Sequence, residues 1–511
     1  GVRVNSGATF DANGAGAAVA NTLRITNDLL NNGTVDFNNA GKTVAVTFTG
    51  AADAALTGTD ATATTTLATM TVDKGSNQTP ELTVDVAGTL NTPTSGWLTL
   101  TRGTLRYARP SSTLTIHDAA SAYTIPEAAA LTVDATAAVV TVATANDVNA
   151  DLLLGGRLNL LEGTLNVGDP SLTAATAGND IEYASAGFPA IYVTNGTLRV
   201  NGQVRRNTAN TAGALRYDQS GGLVDIYGLA ANGAGNQRGL LEVLNPGSIF
   251  RMNGGTLALH RSNGNPAVIA DLYLAPDSTS VNGGTVALGT VASTLGNVNV
   301  TVDSTVPLYD LRVEPGTTGN VNTGQLVADA LTLLGSLSIS NDFSVFNANG
   351  LGLNIGQNLN NGNSSTNVAV NNGGFRPGVA TQTTTFTGGL VNQLITGTGV
   401  TGANVTVFGN LVLNNPLTGG NLTLQANRNV RVAGTLTLTR GTLADNGQTI
   451  TVLGDVLNSA THVSTGSGAI VLGVGGTGTP NHSVGGNGNG KFGILTLNNS
   501  NGATATPSQE V

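Results

Sequence analysis

The stretch GWLTLTRGTL, from Gly96 to Leu105, returns almost unchanged as GTLTLTRGTL from Gly434 to Leu443, and more loosely as GRLNLLEGTL from Gly156 to Leu165. All three share Gly-x-Leu-x-Leu-x-x-Gly-Thr-Leu. The alternating leucines give one apolar face with the period of two that belongs to a β-strand, and the second glycine supplies the backbone freedom of a sharp corner. Leu98 and Leu100 are therefore expected to face an interior, with Gly103 turning the chain into the strand that holds Leu105. Shorter relatives, NGTLRV at Asn195, NGGTLAL at Asn253 and NGGTVAL at Asn282, are scattered along the chain. A catalytic motif serves one site and occurs once, whereas a phrase repeated at this density marks a repeating architecture.

The rest of the chain speaks the same language. TVAVTFTG (Thr43 to Gly50), STLTIHD (Ser112 to Asp118), GNVNVTV (Gly296 to Val302) and GNLTLQ (Gly420 to Gln425) all alternate and are bounded by Gly, Asn or Asp. No helical stripe persists; even EAAALTVDATAAVVTVATANDV, from Glu127, interleaves β-branched residues. Such short strands cannot bury their apolar faces alone. Coils stacked about 4.8 Å apart can, by forming continuous sheets around a shared interior, and equivalent corner asparagines can form hydrogen-bonded ladders between coils. The expected fold is all-β: an elongated parallel β-helix, or β-solenoid, with Gly/Asn corners and a few longer surface loops. At about 20 to 30 residues per coil it would hold about 17 to 25 coils. Tandem β-sandwiches are the alternative, but no Pro/Ser-rich linker separates candidate domains.

Three regions are expected: regular coils over 1–177, less regular loop-bearing coils over 178–237, and further coils over 238–511. In the last region LYDLRV (Leu308), FGNLVL (Phe408) and FGILTL (Phe492) suggest repeat units 308–407 and 408–491 and a truncated unit 492–511. The middle stretch concentrates Tyr, Phe and Arg in GNDIEYASAGFPAIYV and NGQVRRNTANTAGALRYDQSGG, the signature of loops projecting from a regular body.

Composition excludes several classes. The chain has 511 residues, 70 of them Gly, and only 10% are charged; with 15 Pro it lacks the charge or proline of a disordered polymer. Its 21 Lys+Arg are dispersed against 30 Asp+Glu, for a net charge of −9, so there is no basic footprint for nucleic acid. No apolar run approaches the length of a transmembrane helix. Cysteine is absent, so disulfides and thiolate sites are excluded.

The residues of GTLTLTRGTLADNGQTITVLGDV (Gly434 to Val456) and FGNLVLNNPLTGGNLTLQ (Phe408 to Gln425) resemble the secreted β-strand-repeat proteins of bacterial cell surfaces, similar to autotransporter passengers and filamentous adhesins. The likeness covers most of 80–170 and 300–511. It implies an extracellular or cell-surface β-helical protein, secreted with its leader removed, of structural or adhesive function. Unlike many of that group, the chain has no recognisable C-terminal sorting or anchoring domain.

Motifs of other classes fail on context. GGNGNGKF, from Gly485, matches part of a phosphate loop but has Phe492 where Ser/Thr should hold magnesium, and it leads into a strand. GTGVTG, from Gly397, also runs into a strand. His117, His260, His462 and His482 show no metal-ligand spacing. Calcium is the one cofactor that the many Asp and Asn oxygens leave open, although no calcium-binding nonapeptide repeat is present. For a polysaccharide-degrading enzyme the candidates are Asp218, Asp225 and Tyr227 with Arg205 and Arg206, and His117 beside Asp118. Each has an ordinary reading as loop charge, so no catalytic, cofactor-binding or metal residue is assigned. Arg102, Glu162 and Arg440 occupy equivalent corner positions, and an Arg102–Glu162 pair across coils is conceivable. The preferred expectation is a structural protein that self-associates into a filament, sheath or surface layer through solenoid ends without evident caps, hence a homo-oligomer or polymer. A monomeric adhesin binding cell-surface glycan or protein through its loops is the alternative, and a β-helical enzyme a more distant one.

Overall fold

A computed structural model describes the chain except residues 13–20, 40–41, 144–149, 170–177, 207–211, 229–238, 263–269, 290–295, 318, 365–373, 398–404, 427, 474–481, 499–502 and 506–511. It is an all-β protein, a parallel β-solenoid of about 16 turns, just below the expected range. Among the described residues there is no α-helix, and the one antiparallel strand pair joins Asn38–Asn39 to Lys42–Phe48.

The three copies of the opening phrase solve one packing problem in one way. Leu98, Leu100 and Leu105, Leu158, Leu160 and Leu165, and Leu436, Leu438 and Leu443 are all buried. The glycine between them takes φ +85° at Gly103, +71° at Gly163 and +97° at Gly441, a left-handed corner that a side chain would strain. At Gly103 an added Cβ would also lie 2.8 Å from both Lys74 Cβ and the Pro80 carbonyl oxygen. The strand Leu98–Tyr107 runs through this corner unbroken, pairing with Thr69–Asp73 before it and with Glu81–Val86 after it.

The contacts divide the chain into two compact units. The first comprises Gly1–Leu257 with Asn263–Asn265 and Ala275–Ser280; the second comprises Ala258–Ser262, Pro266–Leu274 and Val281–Val511. In the first unit, Glu81–Val86, Leu98–Tyr107, Ala129–Val133, Arg157–Leu160, Ala190–Val193, Arg216–Gln219 and the middle of Leu241–Leu259 stack in register. Leu82, Leu105, Leu131, Leu158, Ile191, Tyr217 and Phe250 make one continuous inward column, all buried. Tyr217 and Phe250 stack with ring centroids 5.4 Å apart. Outward positions alternate with these, so the same ladder displays Arg106, Thr132, Asn159, Tyr192, Asp218 and Arg251 in a second column.

Beside a ladder from Val298–Ser304 to Phe375–Arg376, coils of the second unit have three further ladders. One runs from Asp310–Val313 to Thr461–Val463, another from Leu331–Leu333 to His482–Gly485, and a third from Val405–Phe408 to Leu495–Leu497. The phrases LYDLRV, FGNLVL and FGILTL lie on these three different ladders, at Asp310–Val313, Asn410–Asn414 and Leu495–Leu497. Phe346, Phe375 and Phe408 form an interior aromatic run with centroid separations of 6.1 and 5.3 Å.

Corner asparagines act differently from the expected Asn–Asn ladder. Asn31, Asn415 and Asn458 are buried, and each accepts the backbone N–H two residues on, at 2.9 to 3.1 Å. Each Nδ2 then donates to a carbonyl elsewhere in the stack: Thr64, Leu390 and Lys491 respectively, at 2.9 Å. The short side chain thus satisfies a tight corner and bonds a neighbouring stretch, so that none of these three amides is idle. One side-chain Asn–Asn bond is present on an outward surface, Asn421 Nδ2 to Asn392 Oδ1 at 2.7 Å.

Candidate functional site

On the first unit, a recess of about 660 Å³ opens between the segment Ser76–Thr79, the turn at Glu127 and Ala128, Arg157 and Phe188. The sequence builds it from corners. Gly187, at φ +78°, turns the connection before Ala190–Val193, and it passes so close to Glu127 that an added Cβ would lie 3.0 Å from that carboxyl carbon. Gln78 braces the floor by donating its Nε2 to the Glu127 carbonyl at 2.7 Å. Asn77 Oδ1 accepts the Thr79 N–H at 2.9 Å. Phe188 is 78% exposed, the most exposed large apolar side chain among the described residues.

Arg157 stands at the rim on the outward face. Its guanidinium lies 5.0 Å from the Tyr192 ring centroid, and the Arg216 guanidinium, one coil beyond Tyr192, lies at the same distance. Such contacts are worth about 0.5–1 kcal/mol at exposed sites, enough to bias a flexible arginine toward the ring. A cation, a carboxylate, amide groups and an open aromatic ring in one recess provide hydrogen-bond donors, acceptors and a stacking surface.

The sequence-derived candidates do not form one site. Asp218 pairs with Arg216 at 3.0 Å and Arg251 at 3.8 Å. Asp225 faces Arg199 at 3.7 Å and, with burial, raises the Tyr227 phenol above its ordinary range. Arg205 and Arg206 are drawn into a separate buried network, because their strand Val204–Arg206 pairs with Ile181–Tyr183. There Arg205 binds Asp180 at 2.6 Å and Glu182 at 2.8 Å, and Arg206 binds Glu242 at 2.9 Å. Asp151 Oδ1 accepts the Asp180 N–H at 2.8 Å; burial, reinforced by the Asp180 carboxylate, pushes Asp151 up to about 7. His117 is buried beside Tyr123, with Nε2 2.7 Å from the Ser121 carbonyl oxygen.

The conceivable Arg102–Glu162 pair is not formed. The coil of Ala129–Val133 lies between their strands, so Arg102 pairs with Asp73 at 2.7 Å and Glu162 accepts the Thr136 hydroxyl at 2.6 Å. Lys491 of the GGNGNGKF segment offers its carbonyl to Asn458 and precedes a strand, so no helix terminus faces an anion there. GTGVTG lies, from residue 398 on, outside the described residues. Among the described residues no three His, Asp or Glu side chains gather as a metal would need, and no helix is long and apolar enough to cross a membrane.

Of the recess residues, only Phe188 falls within the stretch marked by its sequence as loop-bearing. Arg157 occupies the x after glycine in Gly156-x-Leu158, where the other copies have Trp97 and Thr435; a charge replacing neutral residues was the available signal. Fold and site together define a β-solenoid with a polar, aromatic-edged recess on one flank. Compared with protein-family models, with curated proteins and with solved structures, the chain matches none.

Proposed function

We propose that this chain is a non-catalytic surface protein, exported from a bacterial cell, whose solenoid is a scaffold for binding glycan in the recess at Phe188 and Arg157. The observation that carries this reading is Phe188 itself. An aromatic ring left 78% exposed, at the mouth of a recess lined by amide, carboxylate and guanidinium groups, matches the amphipathic surface of a sugar, with its apolar ring face and polar edge. Binding is favoured over hydrolysis because, among the described residues, Glu127 is the single carboxylate lining the recess, and glycosidic hydrolysis ordinarily uses two. Affinity electrophoresis through gels containing soluble polysaccharides tests it. Retardation of the native chain by at least one polysaccharide, reduced about tenfold in apparent affinity by Phe188→Ala, is expected, about 1.4 kcal/mol of lost stacking. Equal migration of both proteins in every gel would dismiss the reading.

A second reading, the self-associating structural protein, is supported by an apolar surface in the second unit. Leu390, Val391 and Leu417 are exposed around one corner, where Asn415 bonds the Leu390 and Val391 carbonyls. A grouping of this kind suits lateral contact between copies in a filament, sheath or layer. Sedimentation velocity over a hundredfold concentration range is expected to show growth of assemblies, suppressed by Val391→Lys with Leu417→Lys. A single unchanging species of the native chain would count against it.

A further inference from the structure

The outward arginines of this ladder follow a rule that one of them breaks. Arg106 is paired with Glu81 at 3.3 Å and with Asp134, Arg216 with Asp218 at 3.0 Å, and Arg251 with Asp218 at 3.8 Å. Each thus finds a carboxylate on its own strand or in an adjacent coil. Among the described residues, Arg157 has none within ion-pair distance. The positions stacked on it in the coils before and after are Ala130 and Ala190, so both lateral neighbours lack an acid and leave the guanidinium uncrowded. Its orientation is biased instead by the Tyr192 ring at 5.0 Å. A guanidinium already biased toward one direction loses less side-chain entropy on pairing, and its planar fork matches a carboxylate with two parallel N–H···O bonds.

We infer that the recess takes a sugar bearing a carboxylate, of the uronic acid class, whose acid group gives Arg157 the partner that the neighbouring coils withhold. This rests on the glycan reading above and names its ligand class. Glu127 lines the same recess and, among the described residues, makes no ion pair; a carboxylate there accepts sugar hydroxyls and disfavours ligands of higher negative charge. Phe188 stacks on the apolar face of the ring. One cation, one acceptor and one aromatic surface fit a monoanionic, hydroxyl-rich ring on three sides.

The test is isothermal titration of the full chain with oligogalacturonate, its methyl ester and a sulfated neutral oligosaccharide, at low and moderate salt. The acid should bind about tenfold or more tightly than the ester, as a charge-assisted bidentate pair provides. Arg157→Gln should erase that ratio while leaving the affinity for the ester, Arg157→Lys should keep part of it, and Phe188→Ala should weaken acid and ester alike. Far-ultraviolet circular dichroism confirms that each variant keeps its strands. Equal binding of acid and ester, a ratio that survives Arg157→Gln, or preference for the sulfated sugar would overturn the inference and leave the glycan reading standing. Binding of none of the three would overturn both.

Discussion

Truncating Phe375 to alanine is expected to destabilise the second unit by about 3–5 kcal/mol, as befits removal of a buried aromatic ring. Phe375 is fully buried between Phe346 and Phe408, so its loss opens a cavity and removes two ring contacts at once. Stacked coils bear on their neighbours only, so the surrounding backbone cannot close the gap without breaking register. Because a repeat array need not unfold in one step, hydrogen exchange is the suitable measurement. Protection should fall most in Ser344–Asn347 and Val405–Phe408 and little in strands several coils away. Phe375→Leu, which refills most of the volume, should cost less than half as much. A uniform loss across the unit, or a change below about 1 kcal/mol, would contradict this picture of local packing.

The second large effect lies in the buried charges of the first unit. Replacing Arg205 by glutamine removes the cation between Asp180 and Glu182, and breaking a buried pair in this way costs about 3–5 kcal/mol at neutral pH. Asp151, beside that network, responds in the opposite sense. Its ordinary value of 3.8 is raised to about 7 in the folded chain, so between those limits the folded state holds a proton that the unfolded state has released. Stability therefore falls as pH rises through this window, by at most about 1.4 kcal/mol per pH unit from this one group. Asp151→Asn retains an acceptor for the Asp180 N–H and removes the titration. Melting curves should show the variant and native chain alike near pH 4 and the variant more stable at pH 8; a native chain that melts higher at pH 8 would refute the assignment.

The strand positions and the solenoid were legible because the leucines at 98, 100 and 105 state the pleat directly, and because glycine is the residue that makes a left-handed corner without strain. Across-coil chemistry was not legible. Arg106 meets Asp134 at a separation of 28 residues, Arg205 meets Asp180 at 25, and Arg206 meets Glu242 at 36. Loop length varies from coil to coil, so no fixed offset tells which side chains become neighbours. Arg205 and Arg206 read as exposed loop charge for that reason, yet both are drawn into a buried network. The recess escaped for the same reason: Asn77, Glu127, Arg157 and Phe188 come from four different coils, and none is conspicuous until the coils are stacked.

The glycine corners and inward leucines recur with the same geometry at Gly103, Gly163 and Gly441, although the sequences around them have drifted. Along a ladder, as at Leu82, Leu105, Leu131 and Leu158, each coil likewise offers its successor an apolar face like the one it received. Coil number is consequently an adjustable quantity for the lineage: duplicating or excising one whole turn leaves both new neighbours with familiar contacts, so such a chain can change length in steps while its flanking corners are free to acquire new specificities.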